Sequence, residues 1–368
     1  MRQLIVCGVV VCFLSLTNLV EAQNQGGAFR ERIRERIRER MQENVEKIPP
    51  VLNPDDVKLY GTKTGTLKPV SETTELKHPE SGRSIPLRLT YPQEGENYPV
   101  IVFCHGAGGS GDFYQPLVQH WVSHGYVVLQ PTFGDSISLL SSEDRSKLRS
   151  ASDFVSSINV TRHWNIRPQE VTFVLDSLPQ LEQQFPAFAG KCDQNRMGIS
   201  GHSYGAHTTM ILSGMTMYGP ANTSYSLPDP RFSCAVSISP QGTGQALTHK
   251  SYATMKLPHL MITGDLDSGA GNPNLKGEWR REAYDGMPEG EKYLLWIKDA
   301  YHGMGGIAGA TGRWSGAGPM SEDQVLLVKS VALTFFDAYL KQDETAQAAL
   351  KDPGFAEACQ KLATLTSK

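Results

Sequence analysis

The chain has 368 residues, with 35 basic and 38 acidic side chains and a formal net charge of −3. Hydrophobic residues at 39% and charged residues at 20% describe a globular protein and exclude a disordered or fibrous one. So even a charge balance excludes the basic surface of a nucleic-acid-binding domain.

The first element in chain order is a leader. Arg2, the apolar run from Leu4 to Leu19 and Val20-Glu21-Ala22 form the pattern of a secretory signal peptide cut after Ala22. Gly8, Ser15, Thr17 and Asn18 interrupt the run, which falls short of the roughly 20 residues that span a bilayer. The expected product is secreted or periplasmic, without stable membrane insertion. Cys7 and Cys12 leave with the leader, and Cys104, Cys192, Cys234 and Cys359 remain. They are too dispersed for a CxxC zinc site, so no metal is expected, whereas an oxidising compartment favours a disulfide. Asn159 and Asn222 open N-x-S/T sequons, which are acceptors where exports are glycosylated.

Residues 23–66 read as a charged helical arm and linker. Phe29, Ile33, Ile37, Met41 and Val45 recur every fourth residue, one narrow apolar stripe on a solvated helix over 29–47. That stripe offers a face to a partner or to a second copy of the chain. Ile48-Pro49-Pro50 ends the helix.

From residue 67 strands and helices alternate. Apolar or alternating runs predict strands at 87–91, 99–104, 126–130, 196–200, 233–239, 258–263 and 292–297. Helices fit 112–124, 168–184, 204–214, 277–286 and 322–341. The expected fold class is α/β, a mostly parallel central sheet with helices on both faces. Residues 135–163 fit as an insertion over one end of the sheet, and 343–368 as a C-terminal helical tail. The length, nominally about two domains of ~150 residues, thus reduces to one catalytic domain over 67–342.

Four segments carry chemistry. Gly201-His202-Ser203-Tyr204-Gly205 joins a strand to a helix. A serine at the top of so tight a turn needs glycine two residues before and after it, because a side chain there would clash. Cys104-His105-Gly106-Ala107-Gly108-Gly109 is a small-residue loop after a strand. Such a loop can bring an amide to about 2.7–3.1 Å of a developing oxyanion, and we assign the Ala107 and Tyr204 amides to that task. No Gly-Lys-Ser/Thr or GxGxxG pattern marks a phosphate loop. Gly264-Asp265-Leu266-Asp267 follows a strand. Asp267 lies further into the loop and is preferred over Asp265 as the acid that orients a histidine, while Asp265 braces the loop. His302, after the strand at 292–297, is the expected general base, and the order Ser203, Asp267, His302 is one that hydrolases use. His105 and His202 are expected to brace the loop and the elbow. With His207 they lack the i, i+4 pair of a helical zinc site. Tyr301, Met304, Trp314 and Met320 surround the Gly-rich stretch 303–318, expected to rim a pocket.

These four segments resemble the α/β-hydrolase superfamily over residues 67–342. More narrowly, Pro99 to Pro131 and Arg167 to Asp176 look like secreted esterases related to chlorophyllases and platelet-activating-factor acetylhydrolases, often labelled dienelactone hydrolases. Dienelactone hydrolases use a cysteine nucleophile, so Ser203 argues against that label. Ala206 stands where the relatives carry a further glycine. The resemblance implies a serine carboxylesterase without a cofactor, nucleophile Ser203 and base His302, acting on a small-molecule or lipid-like ester. An acyltransferase, a lipase or polyester hydrolase, or a non-catalytic binding protein on the same fold are the alternatives. The fold also makes the nucleophile strand and the next strand neighbours, which implies a Cys192–Cys234 bridge at the end opposite the site, with Cys104 a buried free thiol.

Overall fold

The computed structural model describes residues 47–141, 143, 161–219, 223–244, 246–269, 272, 274–309 and 317–368. The leader, the arm up to residue 46, both sequon asparagines and Trp314 lie outside the described residues. Lys47 and Ile48, read as the end of the helical arm, instead form a short parallel pairing with Met320 and Ser321.

Nine strands build one sheet: β1 (Pro69–Lys77), β2 (Ser84–Pro92), β3 (Tyr98–Cys104), β4 (Val127–Pro131), β5 (Cys192–His202), β6 (Phe232–Ile238), β7 (His259–Leu266), β8 (Lys292–Tyr301) and β9 (Ala363–Ser367). Their spatial order is β9-β8-β7-β6-β5-β3-β4-β2-β1. The six strands from β8 across to β4 are mutually parallel; β9 pairs antiparallel with β8 at one edge, and at the other β2 pairs antiparallel with β4 and β1 antiparallel with β2. The helices are α1 (Gln115–Ser123), α2 (Thr161–Asp176), α3 (Leu178–Gln184), α4 (Tyr204–Leu212), α5 (His249–Tyr252), α6 (Gly277–Gly286), α7 (Glu322–Leu340), α8 (Glu344–Ala349) and α9 (Phe355–Ala358).

The continuous apolar runs of the central strands follow from burial on both faces. Successive side chains alternate sides: Ile101, Phe103, Val236, Ile262 and Leu295 pack under α1 and α7. Val100, Val102 and Ile199 pack under α2 and α3, and Met261 and Leu294 under α4 to α6. Helix α7 opens at Ser321, whose side chain accepts the Gln324 amide, with Glu322 and Asp323 in its first turn, as the exposed amides and the dipole of an N-terminus favour. Among the described residues no helix is long and apolar enough to cross a membrane.

Three expectations are corrected. The helix read as 168–184 is two helices, with Pro168 inside α2. The break falls at Ser177, because the ring of Pro179 would meet the carbonyl four residues earlier in a continuous helix. The tail is not purely helical: after α8 and α9, Ala363–Ser367 pairs with Tyr293–Ile297 of β8, in keeping with its alternating threonines and leucine. The Cys192–Cys234 bridge is absent, and the four cysteines among the described residues are free thiols. Cys234 pairs with Gly198, six residues along β5 from Cys192. At ~3.3 Å per residue the separation approaches about 20 Å, far beyond the ~7 Å a disulfide tolerates. Cys104 is buried, which pushes its thiol up to about 12.

Candidate active site

Strands β3 and β5 are paired with Cys104 opposite Gly201, so the loop after one and the turn after the other leave the same sheet edge side by side. Ser203 tops that turn at φ 57° and ψ −115°, a region that costs a non-glycine residue about 1–3 kcal/mol. Its amide donates to the Ile238 carbonyl at 2.9 Å. The glycine spacing has a direct cause. A Cβ on Gly201 would stand 2.4 Å from the Gly205 backbone, and one on Gly205 would stand 1.9 Å from the Cys104 carbonyl oxygen.

Asp267 and His302 come from the neighbouring strands. The β7–β8 register shifts after Gly264 so that Leu266 faces Tyr301, which places the next residues, Asp267 and His302, side by side. His302 Nε2 stands 2.9 Å from Ser203 Oγ and Nδ1 stands 2.7 Å from Asp267 Oδ1. Thr263 Oγ1 donates to the other carboxylate oxygen at 2.8 Å. Asp265 instead accepts from Trp296 Nε1 at 2.7 Å and the Asp299 amide at 2.8 Å, bracing the turn before His302.

Arg280, which no motif marks, completes the cluster. Its Nε lies 2.6 Å from Asp267 Oδ1, and its other nitrogens donate to the carbonyls of Ser239, Pro240 and Ser268. Burial alone would push the Asp267 carboxyl up, but Arg280 and His302 together hold it at about 2. Burial and the nearby Arg280 charge move His302 below its ordinary value, against the opposing pull of Asp267. The available signal was positional: Gly277, Arg280, Ala283 and Tyr284 are the buried residues of α6, so the arginine shares the inward face of an otherwise polar helix.

The loop after β3 is held from beneath. The Gly106 amide donates to Tyr114 Oη at 3.1 Å, and Tyr114 Oη is 3.0 Å from His202 Nδ1. With that nitrogen accepting, His202 Nε2 donates to the His302 carbonyl at 2.8 Å. One file of hydrogen bonds thus ties the loop, the elbow and the His302 backbone. Burial keeps His202 neutral, at about 3. His105 is likewise neutral, at about 3, through burial and the nearby Arg167 charge. It accepts the Phe133 amide at Nε2 and donates from Nδ1 to the Gly106 carbonyl at 2.6 Å. Among the described residues no acceptor meets the Ala107 N–H. Tyr204, the first residue of α4, follows Ser203 directly.

The expected rim is only partly a rim. Tyr301 is 39% exposed, but Met304, Ile307 and Ala308 belong to the core under α1 and α7. A cavity of about 650 Å³ lined by Val51, Pro116, Gly306, Met320 and Lys329 includes none of the Ser203, Asp267 and His302 cluster.

A family model described as Chlorophyllase matches residues 59–250, just over half of the chain. The match takes in the 105–109 loop and Ser203, and stops short of Asp267 and His302. Over 156 residues the chain is 29% identical to "Chlorophyllase-1, chloroplastic" of Citrus unshiu, covering 42% of this chain and 39% of that protein. It is 24% identical over 197 residues to "Chlorophyllase-2" of Arabidopsis thaliana, covering 51% and 52%. A shorter stretch of 46 residues is 39% identical to "Chlorophyllase-1" of Arabidopsis thaliana, covering 12% and 14%. The chain therefore spans about half or less of the length of the curated relatives it matches. By the family model and the fold together, the chain belongs to the chlorophyllase family of α/β-hydrolases.

Proposed function

We propose that the protein is an exported serine carboxylic-ester hydrolase that works through an acyl-enzyme. His302 Nε2 takes the Ser203 proton as Oγ attacks the ester carbonyl. The oxyanion is met by the Ala107 and Tyr204 amides, and Asp267 steadies the imidazolium. His302 then passes the proton to the departing alcohol. A water, deprotonated by His302, releases the acid and restores Ser203. The observation that carries this reading is the unbroken file from Ser203 Oγ to His302 to Asp267, at 2.9 and 2.7 Å.

The substrate class is a neutral small-molecule or lipid-like ester, and no cofactor takes part. The relatives are named as chlorophyllases, so chlorophyll belongs in the substrate panel beside p-nitrophenyl esters of graded acyl length. Ser203→Ala should abolish both turnover and labelling by a fluorophosphonate. Turnover retained in that variant would overturn the assignment. Preferential transfer of the acyl group to an added alcohol would favour an acyltransferase instead. Export is checked by the amino terminus of the secreted product, expected at Gln23.

A further inference from the structure

Arg167 of α2 is almost wholly buried beside Asp135, with side chains 3% and 4% exposed. Its Nε lies 2.9 Å from Asp135 Oδ1, and one terminal nitrogen lies 2.6 Å from Oδ2. The remaining donors go to the loop after β3: 2.7 Å to the His105 carbonyl and 3.5 Å to the Gly106 carbonyl. Asp135 Oδ2 in turn accepts the Gly108 amide at 3.2 Å. The guanidinium lies between two rings, 4.5 Å from that of Phe133 and 4.2 Å from that of Tyr204. One buried cation therefore touches both the loop that carries the Ala107 amide and the residue that carries the Tyr204 amide.

The peptide geometry gives this contact a consequence. Across a trans peptide the carbonyl and the following N–H point in opposite directions. The Gly106 carbonyl is drawn to one side by Arg167, by His105 Nδ1 at 2.6 Å and by the Gly109 amide at 3.1 Å. Its partner across the peptide, the Ala107 N–H, is thereby turned the other way. A loop of Gly106, Gly108 and Gly109 has little stiffness of its own, so this orientation depends on what grips the carbonyls. We infer that Arg167, anchored by Asp135, is a positioning residue of the oxyanion hole: it holds the His105 and Gly106 carbonyls back so that the Ala107 amide faces the reacting carbonyl.

The inference rests on the serine-esterase reading, and the experiment separates the two. Wild type, Arg167→Met, Arg167→Lys and Asp135→Asn are compared by kcat and KM on p-nitrophenyl acetate and by affinity for phenylboronic acid, which becomes a tetrahedral anion on a reactive serine. Thermal unfolding of each variant ensures that assays are run on folded protein. Loss of one oxyanion donor costs about 10²–10³ in kcat. Arg167→Met is accordingly expected to lower kcat by roughly 10–10³-fold and to weaken boronate binding by a comparable factor, with KM within about threefold. Arg167→Lys keeps a cation without the planar fork and should recover only part of the loss. Asp135→Asn should show the same pattern more weakly, and it decides the matter alone if Arg167→Met does not fold. A folded variant with kcat within twofold of wild type, or a loss carried by KM with boronate binding intact, overturns the inference. Wild-type protein that neither cleaves esters nor takes a fluorophosphonate at Ser203 overturns the esterase reading instead.

Discussion

Arg280 and His302 share one oxygen: Asp267 Oδ1 stands 2.6 Å from the arginine Nε and 2.7 Å from the imidazole Nδ1. An arginine terminal nitrogen also lies 2.9 Å from Nδ1. Arginine only donates, so with the Nδ1 proton given to Asp267 that contact acts on the ring through charge. Of the titratable groups around the ring, His202 is held neutral by burial, which leaves Asp267 and Arg280 to set its proton affinity. The cation opposes protonation of His302, and burial works in the same direction. The neutral imidazole should therefore persist below its ordinary value of about 6.5. The acid limb of kcat/KM is expected to have its midpoint below that value, and Arg280→Gln to move it upward. A pH–rate series on a p-nitrophenyl ester measures both, and an acid limb at or above pH 6.5 in the wild type would contradict the account.

Asp267→Asn should damage activity and stability together. Removing the carboxylate loses the imidazole tautomer and its charge support, worth roughly 10³–10⁴ in kcat in comparable triads. It also strands the buried Arg280, and breaking a buried pair from one side costs about 3–5 kcal/mol. Ser203→Ala should lose the turnover but keep the melting temperature. Calorimetry of the two variants beside the wild type separates these effects.

The elbow predicts two opposite responses to substitution. Ser203→Gly relaxes a left-handed backbone and should raise stability by about 1 kcal/mol while abolishing turnover. Gly205→Ala places a methyl 1.9 Å from the Cys104 carbonyl oxygen, and should yield little soluble protein. Denaturant titration and expression yield read the two outcomes.

Tyr114→Phe should lower kcat with a smaller effect on KM. It leaves the Gly106 amide and His202 Nδ1 without their shared hydroxyl, and each stranded buried group costs about 1–3 kcal/mol. A loss of roughly tenfold in kcat corresponds to about 1.4 kcal/mol of misalignment in the transition state. Steady-state kinetics on a short-chain ester gives the split.

Stability should fall in two stages on acidification. His105, His120, His202, His207 and His259 are each held at about 3 by burial. The unfolded chain takes up those protons near pH 6.5 and the folded one does not, so stability declines as pH drops below about 6.5. Asp135 and Asp267 are held at about 2 despite burial, through Arg167 and Arg280 respectively. Their contribution is complete above the unfolded value near 4 and is lost between about pH 4 and 2. Denaturant midpoints from pH 8 to pH 3 should show the first slope clearly, and a flat profile down to pH 4 would refute it.

What the sequence reveals is what depends on near neighbours. Gly201 and Gly205 are demanded by a clash within five residues of chain and the adjacent strand end, so the elbow is readable as a motif. Asp267 and Asp265 differ only by loop position in the sequence, whereas in the structure a register shift between β7 and β8 sends one to His302 and the other to Trp296. Arg280, Arg167 and Tyr114 meet partners 22, 62 and 88 residues away, and chain order does not name those partners, even where a helix face marks the residue as inward. The absence of a Cys192–Cys234 bridge has the same cause. Adjacency of strands was foreseeable, but how far along them each cysteine sits was not.

Strand β9 has a practical consequence. It pairs with five residues of β8, and Lys368 continues the ladder by exchanging backbone hydrogen bonds with Lys292. The strand that leads to His302 is thus bordered on its outer side by residues 363–368, which follow the short helices α8 and α9 and end on Lys368, whose side chain donates to the Asp285 and Met287 carbonyls. Anything that tugs on that segment, such as a surface linkage, a fused fluorophore or a clipping protease, would loosen the strand that leads to His302. For immobilising or labelling the protein, this segment is the handle to avoid.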